Sequence, residues 1–201
     1  LRWVAARLYL FVMITCLPKP SRLFIAATLT MATFGIIGQN RTVSAAPTIT
    51  KQSVKGATAP TFTAKSVQGQ IVSSQQLTGK PYIINFFGSW CPYCRKEIAA
   101  MVALQERYKA QGFTFIGAAY QDNENAMPDF IWEHNINYPV IMADSKIING
   151  FAPYIAGGIR SVPLLFAVGR DGKIVAVEPG AQTREDLEKL IQKLLQRPAM
   201  R

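Results

Sequence analysis

Cys91 and Cys94 stand three residues apart, between a short apolar run and a stretch with helical spacing. Before them, Tyr82 to Phe87 reads YIINFF, the pattern of a central strand buried on both faces. After them, Ile98, Met101, Val102, Leu104 and Tyr108 recur at helical spacing from Pro92 to Ala110, and Gln111-Gly112 ends the run. A strand that passes into a helix through a two-cysteine turn constrains its surroundings closely. Cys91 falls at the N-cap and Pro92 at the first helical position, where a missing N–H costs nothing. The helix dipole and the unpaired N–H groups then favour a thiolate at Cys91. Cys94 lies one turn in, within reach of a mixed disulfide formed on Cys91. A ring so small gains little loop-closure entropy, so a purely structural disulfide accounts for the pair poorly.

The flanking sequence extends the pattern. Phe113 to Ala119 (FTFIGAA) is a second apolar strand, so strand, helix and strand predict a parallel pair with a right-handed crossover. Phe62 to Val72 alternates around Gly69 as a hairpin. Residues 124–135 read as a helix carrying Phe130, Ile131 and Trp132, Tyr138 to Met142 as a short strand, and Ile147 to Phe151 as a helical turn or two. Pro163 to Val168 and Lys173 to Val177 form an antiparallel hairpin around Gly169-Arg170-Asp171-Gly172. Thr183 caps a last helix with Asp186 in the capping-box position, and Leu187, Leu190, Ile191, Leu194 and Leu195 form its apolar stripe. The order is that of an α/β protein: β-α-β, an inserted segment, then β-β-α.

Residues 1–46 have a different character. Leu23 to Gly38 is a charge-free apolar run of 16 residues, preceded by Lys19 and Arg22 and followed by Val43-Ser44-Ala45. That order describes either a signal peptide cut after Ala45 or an N-terminal membrane anchor. Both place the following domain outside the cytoplasm, because the bases precede the apolar run. Residues 47–60 read as a linker and 61–197 as the folded domain. Of the net charge of +10, Arg2, Arg7, Lys19, Arg22 and Arg41 account for half. No Lys/Arg cluster with interleaved aromatics appears in the rest, which argues against nucleic acid as a partner. The third cysteine, Cys16, is alone, and His134 is the only histidine, so neither a four-cysteine nor a two-cysteine, two-histidine zinc site can be assembled. The thiol chemistry needs no metal and no organic cofactor.

NFFGSWCPYCRKE, a later Val162-Pro163 before an apolar strand, and the GRDGKIV turn together resemble the TlpA/ResA-type thioredoxin-like proteins of the redoxin family. The resemblance covers roughly residues 56–196 and implies a thioredoxin fold with an N-terminal hairpin extension and a central helix–strand insertion, here Asn123 to Phe151. It implies an exported thiol–disulfide oxidoreductase, in the bacterial periplasm or on the outer face of the cytoplasmic membrane with an inner-membrane tether. Its partners would be disulfide-bearing client proteins, apocytochromes c among them, and a membrane electron donor that re-reduces the dithiol. The redox-active disulfide would be Cys91–Cys94, with Glu97 as the acidic residue that takes the Cys94 proton. Trp90, Pro92, Tyr93, Val162 and Pro163 would meet the client, the Val162–Pro163 bond being cis, and Trp90 would double as a core aromatic. Plain thioredoxin has a buried aspartate six residues before its first cysteine; here Asn85 stands there and cannot accept a proton, which throws weight on Glu97. Tyr120, Asp122 and Trp132 are weaker candidates for lining the site, and His134 reads as structural.

Two other functions share these residues. A non-catalytic module could use the scaffold to hold a client or a metal, although the sequence offers no extra Met or His ligands beside the pair. A thiol peroxidase would want Thr or Ser three before its cysteine and Pro four further back, where Gly88 and Ile84 stand. Whether electrons flow to the client or from it is left open by the sequence.

Overall fold

The structure is a computed structural model that describes residues 54–197. The apolar run at Leu23–Gly38, Cys16 and the cleavage region lie outside the described residues. A five-stranded sheet carries the fold. Its strands are β3 (Tyr82–Phe87), β4 (Thr114–Ala119), β5 (Val140–Met142), β6 (Leu164–Val168) and β7 (Ile174–Pro179), in the order β5-β4-β3-β6-β7. The β3–β4 and β4–β5 pairs are parallel, and β3–β6 and β6–β7 antiparallel. A separate antiparallel hairpin joins β1 (Thr63–Lys65) and β2 (Ile71–Ser73). The helices are α1 (Pro92–Tyr108), α2 (Met127–Glu133), α3 (Ser145–Phe151) and α4 (Arg184–Leu195).

Strand β3 shows why the sheet is central. All six of its residues are buried, and their side chains alternate between two cores. Ile83 and Phe87 pack with α1 and α4 residues such as Ile98, Met101, Leu187 and Ile191. Tyr82, Ile84 and Phe86 pack on the other face with Phe151 and Phe166. Phe86 meets Phe151 edge-on at 5.5 Å between ring centroids, and each such fully buried ring contributes about 1.5–3 kcal/mol. Asn85 shares the face of Ile83 and Phe87, so the strand's period of two aims a polar side chain at α1.

The terminal helix begins where its sequence predicts. Thr183 Oγ1 accepts from the Asp186 N–H at 3.2 Å and donates to the Asp186 carboxylate at 2.8 Å. Leu187, Ile191 and Leu194 are its buried stripe.

Both sheet edges are covered by the N-terminal part of the domain. Of the stretch expected to be a linker, residues 54–60 are described, and residues 54–59 are docked along the β7 edge. Val54 is buried, the Gly56 N–H donates to the Ile174 carbonyl, and Thr58 bridges Lys173. At the opposite edge Ser66 bridges Ile141, and the Val67 N–H donates to the Val140 carbonyl at 2.7 Å. Covering an edge in this way blocks strand-to-strand pairing with other chains. The helix expected over residues 124–135 is shorter, Met127–Glu133: before it, Asn123 closes a turn with its own side chain, accepting from the Asn125 N–H.

Candidate active site

The cysteines sit at the C-terminal end of β3, in the turn that opens α1. Cys91 is the N-cap residue and Pro92 is in the first turn. The Cys91 Sγ accepts from the Cys94 N–H at 3.2 Å, so one of the helix's unpaired donors already points at that sulfur. The two cysteines are joined as a disulfide. Both are buried, Cys94 completely.

Around them the surface is aromatic. Tyr93 and Trp90 are exposed, and the Lys96 ammonium lies 5.8 Å from the Tyr93 ring centroid. Pro92 is exposed between them. Trp90 is not a core residue, contrary to the sequence expectation that it would also pack inside: it is 54% exposed. Its ring lies across Gly88, where a Cβ would stand 2.5 Å from the indole, and its Nε1 donates to the Gln121 carbonyl at 3.2 Å. Glycine at 88 therefore lets the indole lie flat on the backbone at the rim.

The opposite rim is the Val162–Pro163 segment. This peptide bond is cis, as the family resemblance implies. The Val162 carbonyl oxygen lies 3.8 Å from the Cys91 sulfur. Val162 is half-buried and Pro163 buried, immediately before β6. Val162 thus meets the Cys91 sulfur from a segment 71 residues away in the chain, while Trp90, Pro92 and Tyr93 flank the cysteines in sequence and are exposed.

Glu97 lies on α1 one turn after Cys94 and is 2% exposed. Its Oε1 accepts the Gln182 backbone N–H at 3.0 Å and its Oε2 accepts from Asn85 Nδ2 at 3.3 Å. Burial pushes this carboxyl up to about 7, against the pull of those two donors, which favour the charged form. Tyr138, buried nearby with its hydroxyl 3.9 Å from the Met101 sulfur, is raised by burial and by the Glu97 charge. A carboxyl that titrates near neutrality, one helical turn from a buried thiol, can accept its proton and return it.

Other residues support this centre. Asp122 accepts from both the N–H and the hydroxyl of Ser89, holding the turn before Cys91. Phe130 of α2 stacks on Phe87, which ties the insertion to the end of β3. Tyr120 is buried, its hydroxyl donating to the Ile159 carbonyl. Trp132 is exposed on α2. His134 stacks on Phe130 at 4.1 Å, a structural role. Sequence reasoning did not find Gln182, because a backbone donor carries no side-chain signature, nor the Ser89–Asp122 clamp, whose members are 33 residues apart. Among the described residues no group of three or more His, Cys, Asp or Glu side chains could hold a metal ion. Among them, too, no helix is long and apolar enough to cross a membrane.

The Redoxin family model matches residues 54–193. The thiol–disulfide oxidoreductase ResA of Bacillus cereus is 32% identical over 127 residues, 63% of this chain and 70% of that protein. ResA of Bacillus subtilis is 26% identical over 167 residues, 82% of this chain and 89% of that protein. A thiol:disulfide interchange protein of the thioredoxin family from Chlorobium tepidum has a crystal structure that matches with a TM-score of 0.68 and 36% identity, covering 70% of this chain and 97% of that one. With a cysteine pair held as a disulfide at a helix start, this chain belongs to the Redoxin family, among its TlpA/ResA-type thioredoxin-like members, and is a thiol–disulfide oxidoreductase.

Proposed function

We propose that this protein reduces disulfides of client proteins outside the cytoplasm, and that the disulfide-bonded state is the oxidised product of that reaction. The observation that carries the reading is the position of Cys91: its sulfur faces the Cys94 N–H at a helix start and lies 3.8 Å from the Val162 carbonyl, in a rim of exposed aromatic side chains. The Cys91 thiolate attacks one sulfur of the client disulfide, and the other client sulfur leaves as a thiolate. Cys91 and the client are then joined by a mixed disulfide. Glu97 takes the Cys94 proton, and the Cys94 thiolate attacks the Cys91 sulfur. The second client thiolate leaves, both client thiolates are protonated, and two electrons have passed from the dithiol to the client.

An extended client segment laid along Val162 would present its disulfide to Cys91, with Trp90, Pro92 and Tyr93 covering its apolar side chains. A membrane electron donor then returns two electrons to the Cys91–Cys94 disulfide. The charge-free run at Leu23–Gly38 and the behaviour implied by the family support export, with the domain in the periplasm or held at the outer face of the cytoplasmic membrane. Cytochrome c maturation or related periplasmic redox work is the client pathway that the family resemblance implies.

Trapping tests this reading. Cys94→Ala, expressed in its native compartment, is expected to accumulate clients as mixed disulfides on Cys91, and Cys91→Ser to accumulate none. Equal trapping by both variants refutes Cys91 as the attacking residue. Equilibration with a glutathione buffer tests direction: a potential near the reducing end of this fold's range of roughly −270 to −120 mV supports reduction, and one at the oxidising end refutes it.

A further inference from the structure

The amide of Asn85 is poorly matched to the place it occupies. It is 2% exposed, and its Nδ2 reaches Glu97 Oε2 at 3.3 Å and the Met101 sulfur at 3.3 Å. Its Oδ1 is buried with no hydrogen-bond partner. A buried carbonyl left unpaired costs about 1–3 kcal/mol, so an arrangement of this kind calls for an explanation.

Glu97 supplies one. As the base for Cys94 it must hold a proton in one half of the cycle and lack it in the other. As a carboxylate it accepts from both neighbours, the Gln182 N–H on Oε1 and the Asn85 amide on Oε2. As a carboxylic acid it has an O–H to place. Oε1 faces a backbone donor, so the O–H belongs on Oε2, opposite Asn85. An amide nitrogen cannot accept it, and the Met101 thioether is a weak acceptor. The unpaired Oδ1 can accept it, once the amide has turned half a revolution about its last torsion. Such a turn exchanges oxygen and nitrogen with almost no change of shape. One amide atom is left without a good partner in either orientation, so neither is locked, and the proton on Glu97 decides between them.

We propose that Asn85 is a positioning residue whose side-chain amide turns over each time Glu97 gains or loses its proton, donating Nδ2–H to the carboxylate and accepting the carboxylic O–H on Oδ1. The inference rests on Glu97 as the proton acceptor for Cys94. It accounts for an asparagine at this strand position. Aspartate would set two carboxyls against each other sharing one proton, and an aliphatic residue would serve neither state. The titratable groups facing this site are Glu97 itself, Cys94 one turn earlier in α1, and the Tyr138 phenol from the segment before β5. The segment around Gln182 contributes a backbone N–H, and Arg95 and Lys96 are exposed.

Nitrogen-edited NMR of the oxidised, isotope-labelled protein tests this without a client. The resonances of the two Asn85 Nδ2 protons are expected to move together between pH 5 and 9, with the same midpoint as the Glu97 carboxyl carbon. In Glu97→Gln they are expected to stay in the acid-like position at every pH, since the new Nε2–H donates to Oδ1. Asn85 resonances that do not follow the Glu97 titration overturn the proposal. Kinetics give a second readout. In Asn85→Ala the carboxylate loses its Nδ2–H donor and the acid loses its Oδ1 acceptor, so the midpoint of mixed-disulfide resolution should stay within about one pH unit of wild type; a larger rise, the mark of a donor that serves the carboxylate alone, also overturns the proposal. Failure here leaves client reduction standing, whereas a wild-type protein inactive towards disulfides would remove the function and leave the amide response intact.

Discussion

Glu97→Gln has a calculable effect on folding as well as on catalysis. The carboxyl rises from an ordinary 4.5 in an exposed chain to about 7 in the oxidised fold, and burial is the cause. A raised carboxyl binds its proton more tightly in the folded state than in the unfolded one. Its contribution to stability is therefore full below about pH 4.5 and is lost as pH rises through 7. A tenfold difference in proton affinity between the two states corresponds to about 1.4 kcal/mol, so the loss between pH 4.5 and 8 is about 3 kcal/mol. Glutamine has no proton to lose. It can keep the Gln182 N–H on its carbonyl and donate its amide to the unpaired Asn85 oxygen. Urea unfolding of both oxidised proteins at a series of pH values isolates the difference, because every other titrating group is shared. The wild type should weaken relative to the variant by about 3 kcal/mol from pH 4.5 to 8, with most of the change between 5 and 7.5. Parallel curves would mean that Glu97 carries no buried proton, and the case for it as the base would go with them. The same variant should slow client release roughly 10²-fold while leaving the first attack by Cys91 nearly unchanged, as rapid mixing can resolve.

Gly88→Ala places a methyl group against the Trp90 indole, which must swing away and give up its bond to the Gln121 carbonyl. Slower client reduction, with a red-shifted and quenchable Trp90 emission, is the expected outcome, and unchanged kinetics would show that the indole's position is immaterial. Asp122→Ala leaves the Ser89 N–H without its acceptor beside the redox turn. The expected cost is about 1–3 kcal/mol in thermal or urea unfolding, with faster backbone hydrogen exchange at Ser89 and Trp90.

Much of this architecture was legible because each element is consistent with its neighbours. YIINFF is apolar enough to be buried on both faces, and the Cys91-Pro92 start of α1 is specified by what a helix N-terminus needs. Thr183 and Asp186 mark the last helix as clearly. What stayed hidden depends on long-range backbone contacts. Residues 54–59 look like linker sequence because they pair through main-chain groups with an edge strand more than 110 residues away. Trp90 read as partly core because a large aromatic beside a buried strand is usually packed inside. Gly88 reverses that expectation, and only the geometry of the turn reveals it. The spacing of Glu97 from Cys94 was readable, but its Gln182 donor was not, since any residue except proline offers the same N–H.

A base carried on α1, as proposed for Glu97, has a consequence that a base on the sheet would not have. Residues three apart on a helix keep their Cβ atoms about 5–6 Å apart whatever the helix does as a body. Glu97 therefore stays in reach of Cys94 if α1 moves against β3 when the disulfide opens. A base on the strand would have its distance to the thiol set by helix–sheet packing, which any such movement would alter. With the acid carried by the helix, the strand position is free to hold a neutral residue. Asn85 is suited to that place because it can face either protonation state, and because it adds no second charge to a pocket where burial already raises Glu97 and Tyr138. Asn85→Asp puts the division of roles to the test. It sets a second carboxyl against Glu97 Oε2, so the pair should titrate in two separated steps, the upper one above 7. Client reduction at pH 7 should then fall and recover only at higher pH. An Asn85→Asp protein with the wild-type pH profile would show that the strand and helix positions are interchangeable, and that the helix placement confers no advantage.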